Sequence, residues 1–210
     1  MREMWLGLAI LLLLAGGAPV AAQAPPATAE AAKLLEAGPA DRVLGKREAP
    51  ITIVEYASLT CPHCRHFEVE VLPQIKQKWI DSGKVKLILR DFPLDEPGLR
   101  AAMVARCAPP ERFHALIGTF FQTQEQWATA PDYRAALEKL AKLGGVSSKD
   151  FAACVSDKAA ENRVIESRFV AAKQLGVDST PTFFINGSKF TGNPTFEAFD
   201  QLLTNLAAKS

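Results

Sequence analysis

The chain has 210 residues, with 24 basic and 23 acidic side chains and a formal net charge of +1. This balance argues against a dedicated nucleic-acid partner, because such proteins concentrate basic side chains on one face. The length is sufficient for one hydrophobic core with an inserted subdomain.

The N-terminus has the outline of a secretory signal peptide over residues 1–22. Residues 5–14 form an uncharged, mostly apolar run that follows Arg2 and precedes small residues. We expect cleavage after Ala22, with Ala24 as the second choice. An uncleaved anchor is the alternative, although the run is short for a membrane-spanning helix, which needs about 20 apolar residues. Export predicts a periplasmic location, where disulfides persist.

Residues 23–40 are rich in Ala and Pro and predict a flexible leader or a marginal helix over residues 28–37. Ile51–Ala57 then predicts a buried strand, and residues 85–89 predict a second. The segment between them repeats apolar side chains every four residues, which is typical of a helix with one core face, and Pro73 predicts a kink in it. A strand, a helix and a strand in this order predict a parallel βαβ unit.

The signals are helical over residues 97–175, where we expect an inserted subdomain of about four helices. Thr182–Ile185 and residues 188–191 then predict a β-hairpin with a type I′ turn at Asn186-Gly187. A final helix follows, with Asn193-Pro194 as its predicted cap. This order describes an α/β chain with a thioredoxin-like fold and an inserted α-helical subdomain, in one domain over residues 41–208.

Cys61-Pro62-His63-Cys64 carries the chemistry of the sequence. The motif lies between the first strand and the predicted helix, and the N-terminus of a helix stabilises a thiolate, the species that attacks disulfides. Pro62 fits the first helical position because its missing N–H has no helical partner there. His63 would lower the pKa of Cys61 further if its ring points toward the sulfur. The motif therefore predicts a redox-active dithiol.

Three other interpretations of the motif are weaker. A zinc site would normally use a second close pair of cysteines, but Cys107 and Cys154 lie far apart in the sequence. A c-type haem requires His directly after the second cysteine, where the chain has Arg65. A purely structural disulfide across two residues would constrain the unfolded chain little.

Cys61-Pro62-His63-Cys64, together with Thr180-Pro181 before the hairpin, resembles the DsbA-like thiol-disulfide oxidoreductases of bacterial envelopes. The resemblance covers residues 41–206. It implies that Pro181 follows a cis peptide bond and lies against the active-site disulfide, with the backbone of Thr180 exposed to an extended substrate chain. A trans proline in an ordinary turn is the alternative.

The resemblance also implies roles for the site residues. Cys61 is expected to be the exposed, attacking and leaving sulfur, with a pKa well below the ordinary thiol value of about 8.5. Cys64 is expected to be buried and to resolve the mixed disulfide. Glu55, six residues before Cys61, corresponds to an acidic residue beneath the active site, and it would take up or relay the proton of Cys64. An ion pair with a Lys or Arg is the alternative, because a buried carboxylate needs a partner.

Cys107 and Cys154 both fall in apolar helical contexts of the insertion. In an oxidising compartment they predict a second, structural disulfide, and loop-closure estimates assign it roughly 4 kcal/mol. Two separate buried thiols are the alternative. His66 and His114 receive no functional role.

These observations predict a periplasmic disulfide oxidase that donates its Cys61–Cys64 disulfide to exported proteins. It would be reoxidised by a quinone-linked membrane partner of the DsbB type, and we expect no cofactor and no metal. An envelope reductase or isomerase is the alternative within the same chemistry, because Thr180 occupies a position that is commonly Val in the DsbA type. A metal-binding module that uses Cys61, Cys64 and His66 is a third candidate.

Overall fold

The computed structural model describes residues 29–209, so the predicted signal peptide and residues 23–28 lie outside the described part. A five-stranded mixed sheet forms the centre of the molecule, in the order β1-β3-β2-β4-β5. The strands are β1 (Val43–Leu44), β2 (Ile51–Ala57), β3 (Val85–Asp91), β4 (Thr182–Ile185) and β5 (Ser188–Lys189). β2 and β3 run parallel, as the sequence predicts, and the other neighbouring strands pair antiparallel.

The α-helices are α1 (Ala29–Leu34), α2 (Pro62–His66), α3 (Leu72–Ile75), α4 (Glu96–Cys107), α5 (Phe113–Gln122), α6 (Gln124–Ala128), α7 (Tyr133–Leu143), α8 (Ser148–Ser156), α9 (Lys158–Gln174) and α10 (Phe196–Ala207). Six of them, α4 to α9, lie between β3 and β4 and form the inserted subdomain, where we expected about four. The extra breaks occur at Thr123 and Asp157. Asp157 caps α9 by accepting hydrogen bonds from the N–H groups of Ala159 and Ala160.

The helix after the cysteine motif runs from α2 to α3 through a π-helical turn, Phe67–Val71, and continues into a second, Lys76–Ile80. The N–H of Leu72 donates to the carbonyl of Phe67, five residues back. This wider turn directly precedes Pro73, which has no N–H to donate. The irregularity that the sequence predicts at Pro73 is therefore a π-helical insertion.

The two faces of the sheet bury separate cores. Ile53 and Leu87 belong to the larger core, which includes the active-site helix and the insertion. Tyr56 and Ile88 belong to the smaller core on the other face. Because side chains alternate along a strand, Glu55 shares the face of the larger core.

α1 lies within the segment that we predicted as a flexible leader or a marginal helix. The described part of this segment forms a helix, and Ala31 and Leu35 are buried in the smaller core. Residues 29–35 therefore pack against the sheet, and they close its second face together with the end of α9.

The hairpin and the last helix complete the fold. Asn186 and Gly187 have φ values of 47° and 82°, as a type I′ turn requires. The Thr195 side chain, and not Asn193-Pro194, caps α10 by accepting from the N–H of Ala198. Within residues 29–209, no helix combines the length and apolar character that crossing a membrane requires.

Candidate active site

Cys61 is the N-cap residue of α2, with Pro62 at the first helical position. Its backbone is extended, with φ −81° and ψ 122°, before the chain enters the helix. The Cys61 N–H donates to the carbonyl of Ser58, and the Cys61 carbonyl accepts from the N–H of Arg65, both at 3.1 Å. This geometry leaves the N–H groups at the start of the helix available to the sulfur.

Both active-site thiols are free and buried in this structure. Cys61 is 4% exposed and Cys64 is fully buried, so Cys61 is less accessible than we expected. The Sγ atom of Cys61 lies 3.3 Å from the carbonyl oxygen of Thr180, which accepts its proton when Cys61 is in the thiol form. The loop before β4 therefore covers the Cys61 sulfur, a long-range contact that local sequence patterns do not indicate.

The two thiols have opposite pKa shifts. The pKa of Cys61 is lowered to about 5, first by a hydrogen bond from the Cys64 thiol and also by the N–H groups of His63 and Cys64, against the opposing effect of burial. Burial raises the pKa of Cys64, and the hydrogen bond to Cys61 and the nearby Glu55 raise it further. The dithiol therefore holds one proton on Cys64 and a thiolate on Cys61.

Glu55 is fully buried on β2, facing the core below the active-site helix. Neither of its carboxylate oxygens has a hydrogen-bond partner within the described residues, and no ion pair there includes it. The described residues therefore include no Lys or Arg that forms the alternative ion pair with Glu55. Burial raises the pKa of Glu55 well above its ordinary value, with smaller contributions from Glu68 and Cys61.

Glu68, on the π-helical turn, is a member of this group that we did not predict. Its Oε2 atom is buried without a hydrogen-bond partner among the described residues, and burial raises its pKa to about 7. Glu68 follows Cys64 by four residues, a spacing that places two side chains on the same face of an α-helix. That spacing was the available signal in the sequence.

The peptide bond between Thr180 and Pro181 is cis. The Thr180 hydroxyl is buried without a hydrogen-bond partner within the described part of the chain. The Thr180 side chain nevertheless helps to lower the pKa of Cys61. Thr182 closes the turn by donating its hydroxyl proton to the carbonyl of Ser179 at 2.7 Å.

The three histidines differ in their relation to the site. The His63 side chain is exposed, and His63 acts on Cys61 through its backbone N–H rather than through its ring. His66 is also exposed on the same helix. His114 lies on α5, where its Nε2 atom is 3.1 Å from the carbonyl oxygen of Arg42.

Cys107 and Cys154 are bonded to each other, with their Cα atoms 6.4 Å apart. The bond joins the end of α4 to α8, inside the inserted subdomain. The redox motif and this disulfide are therefore separate features of the fold.

The inserted subdomain also reaches the active-site backbone. Gln124, the first residue of α6, is buried, and its side-chain amide donates to the carbonyl oxygens of Leu59 at 2.9 Å and Cys61 at 3.0 Å. We did not single out Gln124, because it lies in a polar stretch whose sequence gives no sign of burial.

Comparisons with known proteins agree with this architecture. The family model described as Thioredoxin matches residues 37–205. A Rickettsia felis protein named as a protein-disulfide oxidoreductase is 36% identical over 165 residues, which is 75% of this chain and 57% of that protein. The chain thus spans little more than half the length of this curated relative.

Solved structures give the same result. The crystal structure of Wolbachia pipientis alpha-DsbA1 is 34% identical, with a TM-score of 0.79, and the match covers 85% of this chain and 96% of that chain. A protein-disulfide isomerase from Novosphingobium aromaticivorans is 27% identical, with a TM-score of 0.68, over 80% of this chain and 97% of that chain. The predicted thioredoxin-like fold with a helical insertion is confirmed, and the chain belongs to the DsbA-like family of thioredoxin-fold disulfide oxidoreductases.

Proposed function

We propose that this protein is a periplasmic thiol-disulfide oxidoreductase that donates its Cys61–Cys64 disulfide to exported proteins. The observation that carries the proposal is the division of roles within the motif. The pKa of Cys61 is lowered to about 5, while that of Cys64 is raised. A sulfur that is stable as a thiolate is a good leaving group, so the disulfide passes readily to a substrate.

The reaction begins with the oxidised protein. A substrate thiolate attacks Sγ of Cys61, a substrate–Cys61 disulfide forms, the Cys61–Cys64 bond breaks, and Cys64 leaves as a thiolate. A second substrate thiolate then attacks the substrate sulfur of the mixed disulfide and releases Cys61 as a thiolate. The substrate loses two electrons as its disulfide forms, and the protein gains them as its own disulfide is reduced.

Glu55 supplies the proton that Cys64 needs in the first step. Cys64 is buried and its pKa is raised, so its thiolate is costly until it is protonated. The Glu55 carboxyl also has a raised pKa and has no hydrogen-bond partner among the described residues, so it can hold a proton and release it toward the sulfur. Glu68 stabilises the protonated form of Glu55, because two neighbouring carboxylates resist ionising together.

Thr180 and Pro181 form the surface on which the substrate chain is held. The Thr180 carbonyl oxygen lies 3.3 Å from Sγ of Cys61, so a substrate sulfur that reaches Cys61 meets the Thr180 backbone. An extended peptide would pair with this backbone as an added strand.

The location and the recycling partner follow from the N-terminal sequence and from the family. The predicted signal peptide supports export, and an exported disulfide donor needs an electron acceptor to return to its oxidised form. A quinone-linked membrane protein of the DsbB type is the proposed acceptor.

An envelope reductase or isomerase is the second candidate, and Thr180 is the observation that favours it. The position before the cis proline is commonly Val in the DsbA type, whereas Thr is more typical of isomerases and reductases. The Novosphingobium relative is named as a protein-disulfide isomerase. The two candidates differ in reduction potential.

The experiment that separates them is an equilibrium of the purified protein with glutathione redox buffers, followed by a count of free thiols. A reduction potential of about −120 mV, the value of the strong oxidant DsbA itself, supports disulfide donation. A value of about −230 to −270 mV would instead indicate a reductase or isomerase. Metal retained stoichiometrically by the reduced protein after dialysis, measured by elemental analysis, would favour the metal-binding module.

A further inference from the structure

Gln124 joins the inserted subdomain to the backbone that carries the redox motif. The residue is 4% exposed, and its Nε2 atom lies 2.9 Å from the carbonyl oxygen of Leu59 and 3.0 Å from that of Cys61. A side-chain amide has two N–H donors, so both protons of this nitrogen are used on the segment that leads into α2.

Of the two carbonyls, the orientation of the Cys61 carbonyl matters more for the Cys61 sulfur. Cys61 is the N-cap residue, and the direction of its carbonyl is set by its ψ angle of 122°. The same angle sets where the N–H groups of His63 and Cys64 lie relative to the Cys61 side chain. The hydrogen bond from Gln124 therefore restrains the backbone rotation that aims the helix N-terminus at the sulfur.

We propose that Gln124 is a positioning residue of the active site, which holds the backbone of Leu59 and Cys61 so that the first N–H groups of the helix face the Cys61 sulfur. It acts through these two residues and does not itself touch substrate. This inference rests on the proposed function, because it assigns Gln124 to the same thiolate.

Loss of Gln124 has two separable consequences. The Leu59 carbonyl loses a buried hydrogen bond, which lowers stability as the loss of any such contact would. The Cys61 carbonyl keeps its bond from Arg65 but loses the second hydrogen bond that restrains its direction, and one of the two donors that offset its partial negative charge near the thiolate. Only the second consequence raises the pKa of Cys61, so the pKa distinguishes a positioning role from a purely structural one.

The test compares the wild-type protein with Gln124→Met, which keeps a similar shape without donors, and with Gln124→Asn, which keeps an amide that is too short to reach both carbonyls. Gln126→Met is the matched control, because Gln126 lies on the same helix and is exposed. Circular dichroism and thermal unfolding establish that each variant is folded. The readout is the pH dependence of Cys61 alkylation by iodoacetamide, with the modified residue identified by mass spectrometry.

We expect the pH midpoint of Cys61 alkylation to be about 5 for the wild type and for Gln126→Met. The midpoint for Gln124→Met should rise by roughly one pH unit, and that for Gln124→Asn should rise by less. The equilibrium of Gln124→Met with glutathione should shift about tenfold toward its disulfide.

A low wild-type midpoint that both folded Gln124 variants share would overturn the positioning role and leave the proposed function intact. A wild-type midpoint near the free-thiol value of about 8.5 would contradict the proposed function itself.

Discussion

Glu55 and Arg90, two charged residues on opposite faces of the central sheet, are accommodated in opposite ways. Glu55 on β2 faces the active-site helix, and neither of its carboxylate oxygens has a hydrogen-bond partner among the described residues. Arg90 on the neighbouring strand β3 points to the other face. There it binds Asp41 through two nitrogens, at 2.8 and 3.3 Å, and also donates to the Tyr56 hydroxyl and the carbonyls of Leu34 and Glu36.

The difference separates a structural charge from a reactive one. Arg90 and Asp41 neutralise each other through an ion pair at 2.8 Å, so each charge has a well-defined partner. Glu55 has no such partner, and an ionised carboxyl without a partner is costly to bury. In the proposed mechanism it holds a proton until the Cys64 thiolate takes it. The unpaired Glu55 thus lies where the chemistry is proposed, whereas the paired Arg90 and Asp41 hold the α1 segment on the sheet.

Arg90→Met gives the largest expected effect and tests the structural side of the comparison. It leaves Asp41 unpaired and removes the donors that tie the α1 segment to the sheet, so we expect a loss of about 3–5 kcal/mol in the free energy of unfolding. Chemical denaturation measures this loss. Arg163→Met, at an exposed arginine, should change stability by less than about 0.5 kcal/mol. A large shift in the Cys61 pKa of folded Arg90→Met would show that the two faces are not independent.

Glu68→Gln tests the reactive side through stability. The pKa of Glu68 is raised by burial from 4.5 to about 7, so between these pH values the unfolded chain gains charge while the folded protein does not. Stability is therefore lost as the pH rises from 4.5 through about 7. Part of the side chain is exposed, which reduces the penalty, and we expect Glu68→Gln to be more stable than wild type by about 2 kcal/mol at neutral pH.

The pH profile of unfolding for Glu68→Gln and wild type provides the check. The two curves should converge below 4.5, where the carboxyl is protonated in both folded and unfolded chains. A constant difference at all pH values would assign the effect to packing rather than to ionisation.

His114→Gln examines a buried titratable group outside the active site. Burial lowers the pKa of His114 from 6.5 to about 4, so on acidification the unfolded chain binds a proton before the folded protein does. The buried His114 therefore lowers the free energy of unfolding as the pH falls from 6.5 toward about 4, and the total loss is about 2 kcal/mol. Gln retains a donor for the Arg42 carbonyl and should flatten this part of the profile. Disulfide exchange at neutral pH should remain at the wild-type rate.

Glu55→Gln is expected to affect kinetics most clearly. Gln has a similar shape but cannot release a proton to the departing Cys64, so formation of the mixed disulfide should slow by about tenfold. Stopped-flow fluorescence of the reaction with a reduced peptide measures the rate. Glu70→Gln is the control, because Glu70 is exposed on the same helix segment. An unchanged rate and pH profile for Glu55→Gln would remove Glu55 from the mechanism.

Local patterns in the sequence predicted much of this arrangement. The strand Ile51–Ala57 was visible from its β-branched content, and the Cys-Pro-His-Cys motif placed Cys61 at a helix N-terminus. Glu55 attracted attention because an acid in an apolar strand is unusual. These features depend on residues that are close together in the chain.

The features that the sequence did not reveal depend on distant contacts. The burial of Cys61 depends on the loop at Thr180, far along the chain. Gln124 is buried only because α6 packs against the residues before the motif. The packing of α1 depends on Arg90 and the second face of the sheet. Periodicity and local propensity contain no information about such partners.

The most direct measurement is the infrared absorption of protonated carboxyl groups at neutral pH in the oxidised protein, the form that must donate the proton, compared between wild type and Glu55→Gln. The account predicts a carboxylic acid C=O band in the wild type, because Glu55 is buried without a partner among the described residues. The Glu55 component of that band should be lost in Glu55→Gln and retained in Glu70→Gln, while the contribution of Glu68, whose pKa is about 7, is removed by comparing the same variants in a Glu68→Gln background. A wild-type spectrum in which every carboxyl is ionised would contradict the claim that the reactive face holds a proton for Cys64.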